Sequence, residues 1–229
     1  MNSGNMIYLY TRFERFWHWV QTLLILILLL TGLEIHGTFT LFGFENAFTV
    51  HNFCAWTWLI LYAFIIFWML TTGEWRQYVP TYKKLYDVGL YYTIGIFRGE
   101  PHPVPKSTRA KHNPLQRLTY LSIVTALVPF QIITGFLYYY YNTWPEMGWS
   151  WSLSTVAYLH TAGAFAFIAF TIVHLYMITT GHTFFAHTWA MITGWEEVED
   201  VTTHEWEIKT RRDETICEPP RNQEAEARP

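Results

Sequence analysis

The sequence has few charged residues and few cysteines. Only 14% of its 229 residues are charged, whereas ordinary soluble domains carry about 25%. The two cysteines, Cys54 and Cys217, fall in a hydrophobic segment and in the C-terminal tail, so we expect them too far apart for a disulfide. No C-x-x-C-H motif occurs, which excludes a covalently attached c-type haem. A net charge of −3 without a basic stripe gives no sign of nucleic-acid binding.

Hydrophobic residues are abundant instead and are concentrated in four long segments. They make up 51% of the chain, and the segments cover residues 16–36, 51–72, 115–138 and 153–180. A membrane span needs about 20 mostly apolar residues, and each segment reaches that length. The first is too long for a signal-peptide core and no small-residue cleavage site follows it. We therefore predict an all-α integral membrane protein, a bundle of four transmembrane helices in which the first span is retained.

Basic residues near the span ends predict the orientation, because they stay on the cytoplasmic side of a membrane. Lysines and arginines occur in loop 73–114 and before the first span, whereas loops 37–50 and 139–152 contain none. We therefore expect both termini and loop 73–114 in the cytoplasm. Residues 1–195 would form the membrane domain, and residues 196–229 a charged, partly disordered cytoplasmic tail.

Four histidines lie in or at the ends of the predicted spans. His160 and His174 are fourteen residues apart, which places them on one face of the fourth helix, about 21 Å apart along its axis. By depth, His174 should meet His18 of the first span on the inner side, and His160 should meet His51 of the second span on the outer side. We call these the inner pair and the outer pair.

Two such imidazole pairs, one above the other, are what two stacked b-type haems with two histidine ligands each require in a helix bundle. A single intramembrane histidine can also be an ordinary hydrogen-bonded contact between helices, but burying several of them unpaired in lipid is costly. Gly32, Gly135 and Gly163 fall in three of the spans, where a glycine lets a flat ring approach the backbone. Six other histidines lie in loops or near interfaces and are not assigned as ligands: His36, His102, His112, His182, His187 and His204.

Three stretches of the sequence resemble one known family. They are RFWHW followed by TGL in the first span, KHNPLQRLTY at the start of the third, and HTAGAFAFIAFTIVHLYM in the fourth. They resemble the prokaryotic cytochrome b561 class, the dihaem cytochrome b subunits of membrane hydrogenases, formate dehydrogenases and thiosulfate-type reductases. The resemblance covers roughly the first 195 residues, and the paired histidines of the fourth span are its most specific element.

The resemblance implies roles for individual residues. His18 and His174 correspond to the ligands of the cytoplasmic-side haem in that family, and His51 and His160 to those of the other haem. In formate dehydrogenases an asparagine just before the third span lines the quinone site, which corresponds to Asn113. An Asn followed by Pro also simply begins a helix, and the two roles are compatible.

Two further features lie on the predicted inner side. Arg12, Arg15 and Arg117 flank the inner haem position and are candidates for pairing with its propionates, although the positive-inside bias alone also explains them. Residues 79–90 have the spacing of an amphipathic helix on the membrane surface, and a proline-rich linker follows. Such a helix would shield the quinone pocket.

The implied function is electron transfer between the quinone pool and a partner redox subunit in a bacterial or archaeal cytoplasmic membrane. Two non-covalent haems b would be the cofactors and quinone the substrate. The partner is expected to be periplasmic, either an iron-sulfur protein or a multihaem cytochrome. Two alternatives stay open: a stand-alone quinone-linked oxidase, for instance one handling superoxide, and a transporter with histidines in its helices.

Overall fold

The computed structural model describes residues 5–100, 102–104 and 111–198. In chain order its main elements are β1 (Asn5–Tyr8), α1 (Arg12–Ile35), α2 (Phe44–Thr72), α3 (Leu85–Thr93), α4 (Pro114–Ser122), α5 (Val128–Tyr139), α6 (Leu153–Ile178), α7 (Ala186–Thr193) and β2 (Trp195–Val198). A π-helical turn, Ile123–Leu127, joins α4 and α5 into one long helix, and short 3-10 segments occur at Glu74–Tyr78, Gly95–Arg98 and Tyr141–Thr143.

Four of these helical units are long and apolar enough to cross a membrane: α1, α2, Pro114–Tyr139 and α6. The prediction of four membrane helices is thereby confirmed. Two of them begin earlier than predicted, at Arg12 instead of residue 16 and at Phe44 instead of residue 51. Hydropathy marks the apolar middle of a helix, whereas the ends are decided by capping and loop contacts that it does not register.

The start of α1 is set by a capping box. The hydroxyl of Thr11 accepts a hydrogen bond from the Glu14 amide at 3.3 Å, and the Glu14 carboxylate accepts from the Thr11 amide at 2.7 Å. Two otherwise unsatisfied amides of the first turn thus find partners. The helix therefore begins before the apolar segment does.

One carboxylate holds the loop between α1 and α2. Glu34, near the end of α1, is buried and accepts hydrogen bonds on Oε1 from the amides of Leu41, Phe42 and Gly43 at 2.7, 2.8 and 2.8 Å. Gly43 has a φ of +81°, a backbone conformation that side chains disfavour. The loop is therefore closed immediately before α2, which explains the early start of that helix.

Two short strands accompany the helices, and the second contains the first residues of the predicted tail. β1 and β2 pair antiparallel, with Asn5 opposite Val198 and Tyr8 opposite Trp195. Residues 196–198, predicted to belong to a charged and partly disordered tail, are thus an ordered strand. The strand contains the buried carboxylate of Glu196, which is paired with Nδ1 of His187 at 2.9 Å. The remainder of the predicted tail, residues 199–229, lies outside the described residues.

The predicted surface helix 79–90 is shorter and shifted. Only Leu85–Thr93 is helical, because Pro80 and the left-handed Lys84, with φ +56°, interrupt any earlier start. Tyr82 and Tyr86 are exposed while Val88 is fully buried. Val88 thus faces the protein, while Tyr82 and Tyr86 face outward.

The four long helices form two antiparallel hairpins. α1 packs closely along α2, and α5 packs closely along α6, whereas contacts between the two hairpins are sparse among the described residues. Where the hairpins do meet, the buried core consists of Leu24, Cys54, Trp58, Val128 and Phe167. Within it the Trp58 and Phe167 rings meet edge to face, 5.7 Å apart. The spaces between the hairpins above and below this layer contain the predicted histidine pairs.

The π-helical turn contributes a second link between the hairpins. The Tyr62 hydroxyl of α2 donates to the Val124 carbonyl at 2.8 Å. A π-helical turn shifts the regular i to i−4 pattern, so carbonyl groups become available to side chains of a neighbouring helix. This bond positions the third membrane helix against α2.

Candidate functional site

The outer pair, His51 of α2 and His160 of α6, faces across the gap between the hairpins. The two ring centroids are 6.4 Å apart, with an interplanar angle of 73°. Imidazole nitrogens bind metal ions at about 2 Å, and the ring centre lies roughly 1 Å further out, so two imidazoles sharing one ion have centroids about 6 Å apart. The observed separation therefore leaves room for one metal ion between the rings.

A large apolar cavity surrounds the outer pair. Its volume is about 910 Å³, near the upper end of the roughly 300–1,000 Å³ typical of ligand pockets. Most of its lining is aliphatic or aromatic, including Leu28, Ile132, Phe136 and Phe165. Size and lining are those expected of a site for a flat, hydrophobic macrocycle.

Glycines bring both outer rings against a helix backbone. A Cβ atom at Gly32 would lie 3.4 Å from Cε1 of His51, and one at Gly135 would lie 3.2 Å from Cε1 of His160. Beside each glycine is a threonine whose Oγ1 hydrogen-bonds to the ring, at 3.0 Å for Thr31 and His51 and at 3.1 Å for Thr134 and His160. The glycines were predicted to let the flat ring of a haem approach the backbone, whereas the structure places imidazole rings against two of them. The threonine contacts were not predicted.

Gln131 also reaches the outer pair. Its side-chain amide donates to Nε2 of His160 at 3.2 Å and to the His160 carbonyl at 3.2 Å. Its Oε1 is buried without a hydrogen-bond partner in the described part of the chain and lies against Gly163. An acceptor left unsatisfied costs free energy, so within the described residues only the nitrogen of this side chain is held by hydrogen bonds.

The inner pair, His18 of α1 and His174 of α6, has nearly the same separation. The ring centroids are 6.3 Å apart, with an interplanar angle of 48°. Phe170 stacks on His174 at 5.5 Å, and Trp19 packs its edge against His18 at 5.3 Å. The structure therefore brings together both pairs that depth in the membrane predicted.

Neither pair belongs to a larger set of ligands. Among the described residues, no group of three or more histidine, cysteine, aspartate or glutamate side chains comes together. A zinc or iron ion held by protein alone needs more than two such ligands, whereas a haem iron takes four from its macrocycle and two axial ones from the protein. The donor set at each pair thus fits haem.

Asn113 lies at the start of α4, buried beneath α3. Its side-chain oxygen accepts from the Gln116 amide at 2.9 Å, and Gln116 returns a bond to the Asn113 amide at 3.0 Å. The prediction that Asn113 begins a helix is confirmed. Its Nδ2 donates to the Tyr92 hydroxyl at 3.2 Å, and that hydroxyl also bonds to Nε2 of His102 at 3.2 Å. Asn113 thus joins the helix cap to the half-buried Tyr92 and His102.

Burial controls the charge state of the tyrosines near Asn113. Removal from water, with smaller contributions from Tyr91 and Tyr120, raises the pKa of Tyr92 above its ordinary value, although the Asn113 hydrogen bond opposes the shift. Burial likewise raises the pKa of Tyr78 and of Tyr10. These phenols are therefore neutral hydrogen-bonding groups over the physiological range of pH.

The three predicted arginines occupy different positions. The Arg15 guanidinium donates to the Ile192 carbonyl, while its Nε is buried without a partner in the described part of the chain. Arg117 is buried and donates from Nε to the His112 carbonyl at 2.8 Å. Arg12 is exposed. Arg15 lies one helical turn before His18 on α1, so it is the arginine that α1 places beside the inner pair.

A buried ion-pair cluster nearby was not predicted. Lys111 Nζ contacts Glu14 at 2.7 Å and Glu74 at 3.3 Å, and both Lys111 and Glu14 are buried. The cluster joins the segment before α4 to the first turn of α1 and to the end of the first hairpin. Nothing in the sequence signals it, because its members are up to 97 residues apart.

Four membrane-length helices that bring two histidine pairs together define a membrane cytochrome b of electron transport. The model of the family described as prokaryotic cytochrome b561 matches residues 9–194, and the chain belongs to this family. An Escherichia coli (strain K12) protein with the name "Putative cytochrome YdhU" is 31% identical over 201 residues, which cover 80% of this chain and 71% of that protein. No solved structure gives a significant match. The family binds haem b, and the chain is a multi-pass membrane protein.

Proposed function

We propose that the chain is the dihaem membrane subunit of a respiratory oxidoreductase, exchanging electrons between the quinone pool and a partner redox subunit. The observation that carries this proposal is the nearly equal separation of the two histidine pairs, 6.3 and 6.4 Å, in one bundle. His18 and His174 would hold one haem b, and His51 and His160 the other. Bound haem b supplies reversible one-electron ferric–ferrous chemistry.

The chain's own residues separate and shield the two sites. Trp58 and Phe167 lie in the buried layer between the pairs, and Phe167 is midway in sequence between His160 and His174 on α6. Both side chains are buried and largely apolar, which disfavours water in the middle of the bundle. Arg15, with a buried donor atom one turn from His18, would pair with a propionate of the inner haem.

Quinone exchange would take place near Asn113 and Tyr92. What supports this location is a buried amide bonded to a neutral phenol, next to the end of the bundle that contains the inner pair. An amide N–H and a phenol O–H are groups that can hydrogen-bond to quinone oxygens. Proton uptake or release would then occur at this end of the bundle.

The proposed location is the cytoplasmic membrane of a bacterium or archaeon, with both termini in the cytoplasm. Supporting this, Arg12, Arg15, Lys111 and Arg117 all lie at the inner-pair end, and the loops at the other end contain no lysine or arginine. The pairing of β1 with β2 holds both ends of the membrane domain on one side, as an even number of spans requires. The partner would be periplasmic, an iron-sulfur protein or a multihaem cytochrome, facing the outer pair.

The test is a dithionite-reduced minus oxidised spectrum with pyridine haemochrome quantification on the wild type, His160→Ala and His174→Ala. We expect two haems b per wild-type chain and the loss of a different one in each variant. Haem content unaffected by either substitution would overturn the ligand assignment. Purification in mild detergent without any second redox subunit would favour a stand-alone oxidase, and a colourless preparation would favour a transporter.

A further inference from the structure

The two helical hairpins use the same device to hold one histidine each. On α1, Thr31 and Gly32 face the His51 ring of the paired helix α2; on α5, Thr134 and Gly135 face the His160 ring of α6. Both threonines are buried, 0% and 4% exposed. A Thr-Gly dipeptide thus contacts each ligand of the outer pair from the helix beside it.

The threonine hydroxyls already have an acceptor for their single proton. Thr31 donates to the Ile27 carbonyl at 2.7 Å, and Thr134 donates to the Phe130 carbonyl at 2.8 Å. Because a hydroxyl has one hydrogen, Oγ1 can only accept from the imidazole. Nδ1 of His51 and of His160 must therefore carry the ring proton.

The tautomer decides which ring nitrogen is free to act as a ligand. With the proton on Nδ1, the Nε2 lone pair of each ring is left for a metal ion. The Gln131 amide, which donates to Nε2 of His160, agrees with the same tautomer.

The inner pair differs at the corresponding atom. Nδ1 of His18 is buried and has no hydrogen-bond partner within the described residues. The hydroxyl nearest to it in sequence, Thr22, donates to the His18 backbone carbonyl at 2.8 Å instead of meeting the ring. In the described part of the chain no threonine hydroxyl hydrogen-bonds to the ring of His18 or His174, so the threonine contact distinguishes the outer pair there.

We propose that Thr31 and Thr134 are positioning residues that fix the tautomer and orientation of His51 and His160 and lower the reduction potential of the haem held between them. The proposal rests on the proposed haem ligation. An acceptor at Nδ1–H makes Nε2 a more basic ligand, and a more basic ligand favours ferric over ferrous iron. The outer haem should thus have a lower potential than it would have with free Nδ1–H groups.

The experiment is an optical redox titration of the purified, haem-loaded full chain, combined with low-temperature electron paramagnetic resonance of the ferric state. The variants are Thr31→Val and Thr134→Val, which keep the shape of the side chain and remove the acceptor. We expect both haems to be retained. The midpoint potential of the haem held by the outer pair should rise, and that of the other haem should not change. Because Thr31 and Thr134 contact different histidines of the same pair, the two substitutions together should raise the potential of the outer-pair haem further than either alone.

Matched controls separate this role from packing. Thr31→Ser and Thr134→Ser keep the hydroxyl and should restore the wild-type potential. Thr171→Val removes a hydroxyl bonded only to the Phe167 carbonyl, at 2.8 Å on α6, and should move neither potential. Unmoved potentials in the valine variants, or equal shifts of both haems, would overturn the proposal.

A second set of variants keeps the proposal testable if the valine variants lose haem. Gly135→Ala would place a Cβ atom 3.2 Å from Cε1 of His160, so that ring must shift, whereas Gly32→Ala adds only contact with His51 at 3.4 Å. Both leave the hydroxyls in place, so the resonance signal of one ferric haem should change, more in Gly135→Ala, while the other is constant. Changes in both signals would contradict a device confined to the outer pair. A wild-type chain with no haem would instead contradict the proposed function itself.

Discussion

Single side chains at the inner end of the bundle serve two neighbours at once, and Asn113 is the clearest case. Its oxygen caps α4 through Gln116, whereas its nitrogen donates to Tyr92. The cap needs only a short acceptor, which serine also provides, but the donor needs an amide. Substitutions can therefore separate the helix cap from the proposed quinone contact.

Asn113→Ser should keep the cap and lose the amide donor, whereas Asn113→Ala should lose both. We expect quinol turnover to fall several-fold in both variants, and unfolding free energy to fall by about 1 kcal/mol only in the alanine variant. Thermal denaturation and quinol oxidation on the same preparations check this. Normal turnover in Asn113→Ser would leave Asn113 with the cap as its sole role.

The histidines could be predicted from the sequence because ionisable groups inside apolar segments are rare and expensive. Thr31 and Thr134 could not, since most intrahelical threonines here bond only to their own backbone, as Thr22 and Thr171 do. A threonine that also hydrogen-bonds to an imidazole of a neighbouring helix cannot be distinguished from these in the sequence. The difference depends on helix rotation, which one sequence does not reveal.

At the scale of elements, helix interiors follow from hydropathy while their ends depend on single polar contacts. The four long helices could be predicted, but the early start of α2 reflects the loop closed by Glu34. The β1–β2 ribbon could not be predicted either, because four-residue strands with two adjacent glutamates, Glu196 and Glu197, show no alternating pattern. Such short strands form because of the strand they pair with, and their own sequence does not indicate them.

Glu34→Ala should loosen the loop beside the outer pair. Removing the shared acceptor leaves three amides to find other partners, and hydrogen bonds to a charged group contribute about 1.5–3 kcal/mol. We expect a loss of about 2 kcal/mol in unfolding free energy and faster release of the haem bound by His51 and His160. In a haem-release assay, the release rate of Glu34→Gln, which keeps one acceptor oxygen, should lie between those of the wild type and Glu34→Ala. Equal release rates in all three proteins would show that the loop does not protect that site.

At the scale of the whole molecule, the inner end is a buried polar assembly that joins distant parts of the chain. Lys111, Glu14 and Glu74 bring together the segment before α4, the start of α1 and the end of the first hairpin. The half-buried Tyr10 and Tyr78 lie close enough to Glu14 to interact with it electrostatically, and Glu74 also acts on Tyr78. The fold class could be predicted from the sequence. These contacts between distant residues could not, because they depend on how the hairpins pack.

These tyrosines predict how stability depends on pH. Burial raises the pKa of Tyr10, Tyr78 and Tyr92 in the folded protein above the ordinary value of about 10. Their contribution is complete below that value and is lost as pH rises above it, since the unfolded chain then releases protons that the folded chain retains. Melting temperature should therefore fall above about pH 10, and less steeply in Tyr78→Phe. If the melting temperature of Tyr78→Phe fell with pH as steeply as that of the wild type, the Tyr78 phenol would not contribute to this pH dependence.

The aromatic layer of Trp58 and Phe167 has a consequence for energy conversion. It lies between the two histidine pairs in a core whose buried members, Leu24, Cys54, Trp58, Val128 and Phe167, include no carboxylate, histidine or lysine. In the proposed function, charge crossing the layer would be an electron alone, and the membrane voltage would act on it directly, at about 2.3 kcal/mol per 100 mV for a full crossing. The membrane voltage would therefore fall largely across this layer. Turnover in sealed vesicles would slow when the imposed voltage opposes the electron's direction and speed up when it favours that direction.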